Sequence, residues 1–306
     1  MRFIVTGGEG NICAPLSQRL EQEGHEVLVV DMKLGTKHDL RDPFKARRLF
    51  EELGACDVLI HGAANIGGIG YLHRCIYETY NENIAITLNV LRYAKFDKIV
   101  YFSSSIVYEC VEQMPLKEWM AEMKFPLSPY GRGKKTCEEL VMYHAERHGV
   151  AYIIVRPFNL YPEAIDLDAP FGEQHVLPDL IRKIAIMRLK EVPIFGDGLQ
   201  TRCFTHIDDF CNAFLAVLEK ENAVFNIAND EEYSIRDVAT LIWELVHGDR
   251  DIKFKHLPAF RWDVRRRVPD ISRLSRYYKP KISLREGLAS WLRELGASLA
   301  AEEGGE

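Results

Sequence analysis

The sequence lacks the cysteine pattern, the basic excess and the long apolar run that mark several large classes of protein. Its seven cysteines are an odd number. They form no CxxC pair and have no zinc-ligand spacing, so we expect neither a disulfide framework nor a metal site. The net charge of −6 provides no general attraction to nucleic acid or to anionic lipid. No apolar run reaches the roughly 20 residues needed to cross a bilayer.

The N-terminus also lacks the features of a secretory signal. Residues Met1 to Thr6 lead directly into a glycine loop and leave no room for a charged region, an apolar region and a cleavage site. Together with the scattered cysteines, this favours a reducing compartment, and we expect a cytoplasmic protein. A chain of 306 residues with 47% hydrophobic and 27% charged residues is large enough for an α/β enzyme with a substantial core.

Short β-branched runs alternate with longer amphipathic segments, which predicts βαβ units and a parallel sheet. The predicted strands are Phe3–Val5, Val27–Val30, Val58–Ile60, Ile99–Phe102 and Tyr152–Val155. The predicted helices lie near Ala14–Gln22, Pro43–Leu53, Leu72–Ala94 and Gly131–His148. The alternation ends at Arg156, and prolines interrupt the later sequence. We therefore expect a Rossmann-type doubly wound domain over 1–157, rejoined by 201–222, a smaller substrate lobe over 158–306, and a disordered tail near 300–306.

A glycine loop joins the first predicted strand to the first predicted helix. Gly7 and Gly10 allow a tight turn in which backbone N–H groups and the helix N-terminus approach a pyrophosphate, and we expect Asn11 and Ile12 to take part. Cys13 stands where a third glycine is usual, but this position governs packing more than phosphate contact. The loop therefore predicts a dinucleotide site.

Asp31 ends the second predicted strand, where a carboxylate accepts hydrogen bonds from the adenosine ribose diol. Its charge would repel the 2′-phosphate of NADP, so we expect NAD as the cofactor. Lys33, two residues later, leaves NADP as the alternative.

A tyrosine and a lysine carry the predicted chemistry. Tyr130 and Lys134 stand four positions apart, so both lie on one face of a helix. A nearby ammonium would lower the pKa of the phenol, which makes Tyr130 a candidate base. One of the serines in Ser103–Ser105, which follow the fourth predicted strand, would hydrogen-bond the substrate hydroxyl that Tyr130 deprotonates. Because the carboxyl ends of parallel strands hold ligands in such sheets, we expect these side chains to converge there.

These residues resemble the extended short-chain dehydrogenase/reductases, especially the nucleotide-sugar epimerases and dehydratases. The likeness spans nearly the whole chain. The segments that carry it are Thr6–Gly8, Asp39–Asp42, His61–Ala64, Asn83–Ile84, Ser103–Tyr108, Ser128–Tyr130, Arg156–Tyr161, Phe195–Gly198, Thr201–Arg202 and Asp208–Asp209.

The resemblance implies roles for further residues. On the cofactor side, Asp39 and Leu40 would contact the adenine, Ala63 and Ala64 would line the path to the nicotinamide ribose, and Asn83 would support the catalytic helix. Lys134 would also hold that ribose, with Pro157 nearby. The resemblance also implies that Ser104 is the catalytic serine, with Ser105 as a possible substitute. On the substrate side it implies contacts from Ser104, Ser105, Asn159, His175, Val176, Phe195, Arg202 and Arg261. Arg202 would bind the diphosphate, and Arg261, in the basic run that ends at Arg267, would add a second diphosphate contact in an ambiguous register.

Within that family, the residues after Ser104 distinguish the reactions. Dehydratases usually have an acidic pair there, decarboxylases a glutamate, and enzymes that epimerise carbons beside the ketone a cysteine, whereas this chain has Ile106. The resemblance therefore favours a 4-epimerase. The glycine-rich stretch Ala63–Tyr71 resembles that of GDP-mannose 3,5-epimerases and GDP-fucose synthases, so another epimerase, a dehydratase or a reductase stays open, with His175 and Cys110 as extra acid/base candidates. A non-sugar dehydrogenase and a catalytically silent binding protein are further alternatives.

The third and fourth predicted helices, near 72–94 and 131–148, carry apolar residues on more than one face. A helix on an open sheet needs one apolar stripe for its own core, so surplus apolar surface indicates a partner. The family resemblance implies that these helices pair in a homodimer through a four-helix bundle.

Overall fold

The computed structural model describes the backbone of residues 1–303 and the side chains of residues 1–296. The first half of the chain contains β1 Arg2–Thr6, α1 Cys13–Gln22, β2 Glu26–Val30, α2 Pro43–Leu53, β3 Ala55–His61, α3 Ile69–Arg74, α4 Ile76–Tyr93, β4 Lys95–Phe102, α5 Pro129–His148 and β5 Ala151–Pro157. The second half contains β6 Leu160–Tyr161, α6 Val176–Ile181, β7 Val192–Phe195, β8 Thr201–Cys203, β9 Thr205–His206, α7 Ile207–Val217, β10 Ala223–Ile227, β11 Glu232–Ser234, α8 Ile235–His247, β12 Phe254–Leu257, β13 Arg266–Arg267 and α9 Leu284–Glu303.

A six-stranded parallel sheet forms the centre of the molecule, in the order β10-β5-β4-β3-β1-β2. The predicted Rossmann-type fold is confirmed. After β2 the chain crosses to the other side of β1 to form β3, so the strand order reverses between β1 and β3. This reversal opens a crevice at the carboxyl ends of the strands, where such sheets bind ligands.

Helices cover both faces of the sheet, and each face buries its own apolar cluster. The first cluster joins α1 and α7 to the sheet through Leu16, Leu20, Phe210 and Phe214. The second joins α2, α4 and α5 to the opposite face. The five strands and four helical regions predicted from the sequence all lie in this part of the chain.

One predicted helix is interrupted. The segment near 72–94 forms two helices, α3 and α4, which are separated at Cys75, where φ is −103° and ψ is 52°. The sequence pattern continues through this residue, but tertiary contacts of α3, described below, fix its direction separately from that of α4.

The substrate lobe contains three small sheets and a cluster of its own. The small sheets have the orders β11-β8-β13, β12-β7 and β6-β9, and the cluster packs α6, α8 and α9 together around Leu180, Val238 and Trp291. We expected 201–222 to return to the first domain. The segment that packs on the large sheet comprises α7 and β10, whereas β8 pairs inside the substrate lobe. Helix α9 continues to Glu303, into the stretch where we expected a disordered tail, and residues 304–306 lie outside the described residues.

Candidate active site

A cleft of about 440 Å³ lies between the carboxyl ends of the large sheet and the substrate lobe. Most of the residues predicted from the sequence line it. On the cofactor side these are Gly7, Gly10, Asn11, Ile12, Asp31, Ala64, Tyr130, Lys134 and Pro157. On the substrate side they are Ser104, Ser105, Asn159, His175, Val176, Phe195 and Arg202.

The glycine loop adopts the tight turn that a dinucleotide site requires. Gly7 has φ +70°, and a Cβ there would lie 2.7 Å from Ala63 N. Only glycine fits both the conformation and the space. The Gly7 amide donates to Val30 O at 2.8 Å, and the Gly10 amide donates to Gly7 O at 3.0 Å. The loop is thereby held against β2, beside the N-terminus of α1.

Asp31 stands beside this loop at the end of β2. Its carboxylate accepts backbone hydrogen bonds from Glu9 N at 3.1 Å and Lys33 N at 2.9 Å. The Lys33 ammonium donates a hydrogen bond to the backbone oxygen of Glu9 at 2.8 Å. A carboxylate that lines the cleft next to the glycine loop fits the ribose diol of NAD.

Helix α5 carries Tyr130 and Lys134 on its buried face. Ser128 caps the helix by accepting a hydrogen bond from Gly131 N at 3.1 Å, and Pro129 occupies the first turn. Both catalytic candidates are only 4% exposed. The cap fixes where the helix begins, and therefore which residues face the cleft.

A buried ion pair fixes α5 to the sheet behind these residues. Arg156 of β5 donates from Nε and Nη2 to the two carboxylate oxygens of Glu138 at 2.7 and 2.6 Å. Its Nη1 donates to Tyr108 Oη at 2.8 Å. Since the guanidinium and the carboxylate are both fully enclosed and bidentate, loss of either partner would leave a buried charge. The pair anchors the helix that positions Tyr130.

The Tyr130 hydroxyl is buried and has no hydrogen-bond partner among the described residues. Burial raises the pKa of Tyr130 well above its ordinary value, while the nearby Ser104 hydroxyl and the charge of Arg267 lower it. We expected the ammonium of Lys134 to lower the pKa of Tyr130, whereas Arg267 is the cation that lowers it in this structure. Lys134 Nζ donates to Phe102 O at 2.8 Å and lies 5.2 Å from the Tyr101 ring centre. Burial lowers the pKa of Lys134 to about 8.

The three residues that follow β4 complete this side of the cleft. Ser104 accepts a hydrogen bond from Ile106 N at 3.2 Å. Ser105 is buried, and Arg267 Nη1 lies 3.5 Å from its Oγ. Ile106 lines the cleft with an apolar side chain. This segment therefore offers two hydroxyls and no carboxylate or thiol.

Four predicted cofactor residues are not among those that line the cleft. Leu40 is buried in the core, and Asp39 forms an ion pair with Arg41 at 2.8 Å. Ala63 N donates to Thr6 Oγ1 at 3.3 Å. Asn83 accepts from Asn65 N at 2.6 Å and donates to Asn65 O at 2.9 Å. Asn83 and Ala63 thus shape the backbone after β3, which continues into the cleft wall at Ala64.

On the substrate side, Asn159 has φ +38° and donates from Nδ2 to Cys203 O at 2.8 Å. His175 precedes α6, and its Nδ1 lies 2.7 Å from Glu163 Oε2. Burial lowers the pKa of His175, but Glu163 raises it by more, so the net direction is upward. The phenyl ring of Phe195 lies 4.5 Å from that of Phe260, between ring centres.

Of the two arginines predicted to contact the diphosphate, Arg202 lines the cleft and Arg261 does not. Arg202 is buried and forms an ion pair with Asp263 at 2.5 Å. Arg261 does not line the cleft: it is exposed, and its guanidinium lies 5.6 Å from the ring centre of Trp262. Arg267 lines the cleft in its place. The sequence showed the basic run, but three adjacent arginines at 265–267 gave no signal for which of them faces inward.

The glycine-rich stretch forms one wall of the cleft together with the loop before α6. Gly68 N donates to Glu173 O and Gly70 N to Gly172 O, both at 2.8 Å. A Cβ at Gly68 would lie only 1.9 Å from Gln174 O. Arg74 of α3 donates to both carboxylate oxygens of Glu173 at 2.8 and 2.6 Å. These long-range contacts fix α3 and explain why it separates from α4 at Cys75.

The sequence of this chain matches the model of the NAD dependent epimerase/dehydratase family over residues 3–228. The chain belongs to this family. UDP-glucuronic acid decarboxylase 1 of Arabidopsis thaliana is 30% identical, in a match covering 100% of this chain and 72% of that protein. The structure of UDP-glucose 4-epimerase with UDP-glucose from Thermotoga maritima is 25% identical with a TM-score of 0.80, covering 98% of this chain and 100% of that one.

A third relative is UDP-glucuronic acid 4-epimerase from Bacillus cereus, solved in complex with UDP-glucuronic acid and NAD. It is 26% identical, with a TM-score of 0.78, over 96% of this chain and 100% of that one. The predicted cofactor, NAD, is confirmed by the family. The part of the chain that the structure describes contains no cluster of metal-ligating side chains and no helix long and apolar enough to span a membrane.

Proposed function

We propose that this enzyme is an NAD-dependent nucleotide-sugar 4-epimerase, which inverts C4 through a transient 4-ketone. The observation that carries the proposal is the set of proton-exchanging groups around Tyr130. Ser104 and Tyr130 line the cleft together, while the position that distinguishes other reactions of the family holds Ile106. Inversion at C4 alone requires a single acid/base group, because the oxygen that loses a proton later regains it.

The residues of the cleft divide the work between cofactor and sugar. Gly7, Gly10 and Asp31 would hold the pyrophosphate and the adenosine ribose, and Lys134 the nicotinamide ribose. Bound NAD would accept a hydride from C4 and return it to the opposite face of the ring. Tyr130 takes the proton of the C4 hydroxyl and gives it back, while Ser104 hydrogen-bonds the same oxygen. The charge of Arg267 and the hydroxyl of Ser104 both favour the phenolate.

A nucleotide-sugar substrate is supported by the relatives, since the two solved structures contain UDP-glucose and UDP-glucuronic acid. Arg202, Phe195 and Phe260 line the cleft. In the proposed complex Arg202 would contact the diphosphate, and the two phenylalanines would offer aromatic surface for the base. A decarboxylase fits less well, because Ile106 stands where the resemblance implies a glutamate.

A second candidate, epimerisation at C3 or C5, is favoured by one observation. His175 lines the cleft, and although burial lowers its pKa, Glu163 raises the pKa by more, so this imidazole is a candidate acid/base group. Cys110, the other acid/base candidate, is not among the residues that line the cleft.

The test is a screen of nucleotide-sugars in D₂O, followed by NMR of the products. Inversion at C4 without deuterium incorporation supports the proposal. Deuterium at C3 or C5 contradicts a pure 4-epimerase, and the variant His175→Gln then shows whether His175 supplies that proton. Loss of the inversion in Tyr130→Phe is the matched control for contaminating activity.

We also propose that the enzyme is a homodimer through α4 and α5. Some of the apolar residues on these two helices pack within the same chain, since Ile86, Val90 and Val141 are buried in its core. Tyr143 of α5 remains 65% exposed and Leu88 of α4 41% exposed. A two-fold axis along these helices would bury the same faces on both subunits.

A further inference from the structure

The three arginines at 265–267 have different environments. Arg265 forms an ion pair with Asp197 at 2.7 Å, and Arg266 forms one with Glu232 at 2.7 Å; both arginines are exposed. Arg266 and Arg267 form strand β13, in which successive side chains point to opposite faces. Arg267 therefore points to the face opposite to that of Arg266, where it lines the cleft.

In the cleft, Arg267 lies next to the groups that act on the sugar. Its Nη1 is 3.5 Å from Ser105 Oγ, and its charge acts on Tyr130. Its Nε is buried without a hydrogen-bond partner, and among the described residues no carboxylate lies within ion-pair distance of it. Asp263, whose charge also reaches it, is bound to Arg202. The charge of Arg267 therefore has no ion-pair partner among the described residues, and its buried Nε has no acceptor; this arrangement is costly unless a ligand supplies the opposite charge.

The other cations of the cleft already have partners. Arg202 is paired with Asp263, Lys183 donates to Asp179 at 2.5 Å, and Lys134 donates to a backbone carbonyl. The cation that lacks an anionic partner is therefore Arg267, beside Ser105 and Tyr130. If Tyr130 exchanges its proton with the C4 hydroxyl, as the proposed function holds, an anion at this place belongs to the sugar ring itself.

We propose that Arg267 selects a nucleotide-sugar whose sugar carries a carboxylate, that is, a nucleotide-hexuronate. This inference rests on the proposed function for the placement of the sugar. A planar guanidinium binds a carboxylate through two parallel hydrogen bonds, which a neutral hydroxymethyl group cannot replace. Inversion at C4 leaves the carboxylate unchanged, so Arg267 acts in binding and orientation.

The test compares binding of matched ligands by isothermal titration calorimetry to the NAD-loaded enzyme. The ligands are UDP, UDP-glucose and UDP-glucuronic acid, with GDP, GDP-mannose and GDP-mannuronic acid as a second series. In one of the two series we expect the acid to bind about 10- to 100-fold more tightly than the neutral sugar, the range of a charged hydrogen-bonded contact. Arg267→Met should remove this preference and leave binding of the nucleoside diphosphate nearly unchanged.

Arg266→Met is the matched control, because it removes the same charge from the adjacent residue on the other face of β13 and should keep the preference. Arg267→Lys retains the charge without the planar fork, and we expect it to keep only part of the preference; it also covers the case in which Arg267→Met does not fold. Equal binding of acid and neutral sugar by the unaltered enzyme in both series would overturn the proposal. So would an equal loss of affinity for all ligands in Arg267→Met, which would assign Arg267 to the diphosphate.

The two proposals fail separately. Acid-selective binding without inversion at C4 would overturn the proposed reaction and leave the role of Arg267 in place. If the enzyme inverts both neutral and acidic sugars at C4 and binds the two with equal affinity, the role of Arg267 is overturned and the proposed reaction stays in place.

Discussion

The thiol of Cys13 occupies the space into which any side chain at Gly62 would point. A Cβ at Gly62 would lie 2.3 Å from Cys13 Sγ and 3.2 Å from Thr6 O. The thiol is buried, with Sγ 3.8 Å from Thr6 O. The cysteine that replaces the usual third glycine of the loop is therefore accommodated by a glycine on the neighbouring strand end.

We expect Gly62→Ala to lower the free energy of unfolding by about 1–3 kcal/mol, the usual cost of overpacking a core. Cys13→Ala in the same chain should restore part of this loss, because the closest clash is with Sγ. Urea unfolding of the two single variants and the double variant measures the coupling. Additive effects of the two substitutions would show that the contact between residues 13 and 62 is not what constrains them.

Tyr130→Phe removes the acid/base hydroxyl and keeps the ring. Because the Tyr130 hydroxyl has no hydrogen-bond partner among the described residues, the fold and the NAD content should stay nearly unchanged. Turnover should fall by about 10²- to 10⁴-fold, the usual contribution of general acid/base catalysis. The measurement is single-turnover inversion with NAD content determined in parallel. Near-normal turnover would refute the assigned role.

In the absence of NAD, the buried charge of Lys134 should lower the free energy of unfolding. Burial lowers its pKa from 10.5 to about 8, so between these pH values the unfolded chain binds more protons than the folded one, and stability rises with pH. This lowering of the pKa corresponds to a loss of about 3 kcal/mol in the free energy of unfolding below pH 8. Replacing Lys134 also removes its hydrogen bond to Phe102 O, which offsets about 1 kcal/mol of the gain.

We therefore expect Lys134→Met to raise the free energy of unfolding of the NAD-free protein by about 2 kcal/mol at pH 7, with the gain decreasing toward pH 10.5. Urea unfolding at pH 7 and pH 10 measures this. Lys95→Met, at the exposed start of β4, is the control and should show no such pH dependence. A destabilised Lys134→Met protein at pH 7 would contradict the prediction.

Two substitutions at Asp31 distinguish the effect of its hydrogen bonds on cofactor choice from the effect of its charge. Asp31→Ala removes the ribose acceptor and the negative charge, and also two hydrogen bonds to the loop. It should weaken NAD binding and relax discrimination against NADP. Asp31→Asn keeps an acceptor without the charge, so it should retain more NAD affinity while losing discrimination to a similar extent. Fluorescence titration with both cofactors tests this, and a natural preference for NADP would refute the assignment of Asp31.

The fold was predictable where local pattern and long-range packing agree. Strands β1 to β5 follow their β-branched runs, although β4 begins at Lys95, four residues before the predicted Ile99, because polar residues at its start still pair with β3. Strand β10 was missed, although Ala223–Ile227 is an apolar run, because its place beside β5 depends on a distant crossover.

The site was predictable where a motif fixes a backbone, as at Gly7 and Tyr130. It was not predictable where tertiary contacts choose among equivalent residues. The inward position of Arg267 depends on the pairing of β13 with β8, and nothing in three consecutive arginines specifies that register. The same reasoning explains the break at Cys75, which depends on contacts of Gly68 and Gly70 with the loop before α6.

The proposed dimer gives the last prediction. Leu88 of α4 and Tyr143 of α5 are exposed, and both line one groove that these two helices help to form. An aspartate at each position would place charges inside the interface of a two-fold dimer, where they would lose solvation without gaining a partner. We expect Leu88→Asp with Tyr143→Asp to be monomeric, while the unaltered protein scatters light as twice the 35.2 kDa chain. Phe44→Asp is the control, because Phe44 is 79% exposed on α2, a different helix, and should not change the mass. If the unaltered protein is a monomer at micromolar concentration and its activity does not depend on dilution, the dimer is refuted, and the exposed side chains of Leu88 and Tyr143 face solvent.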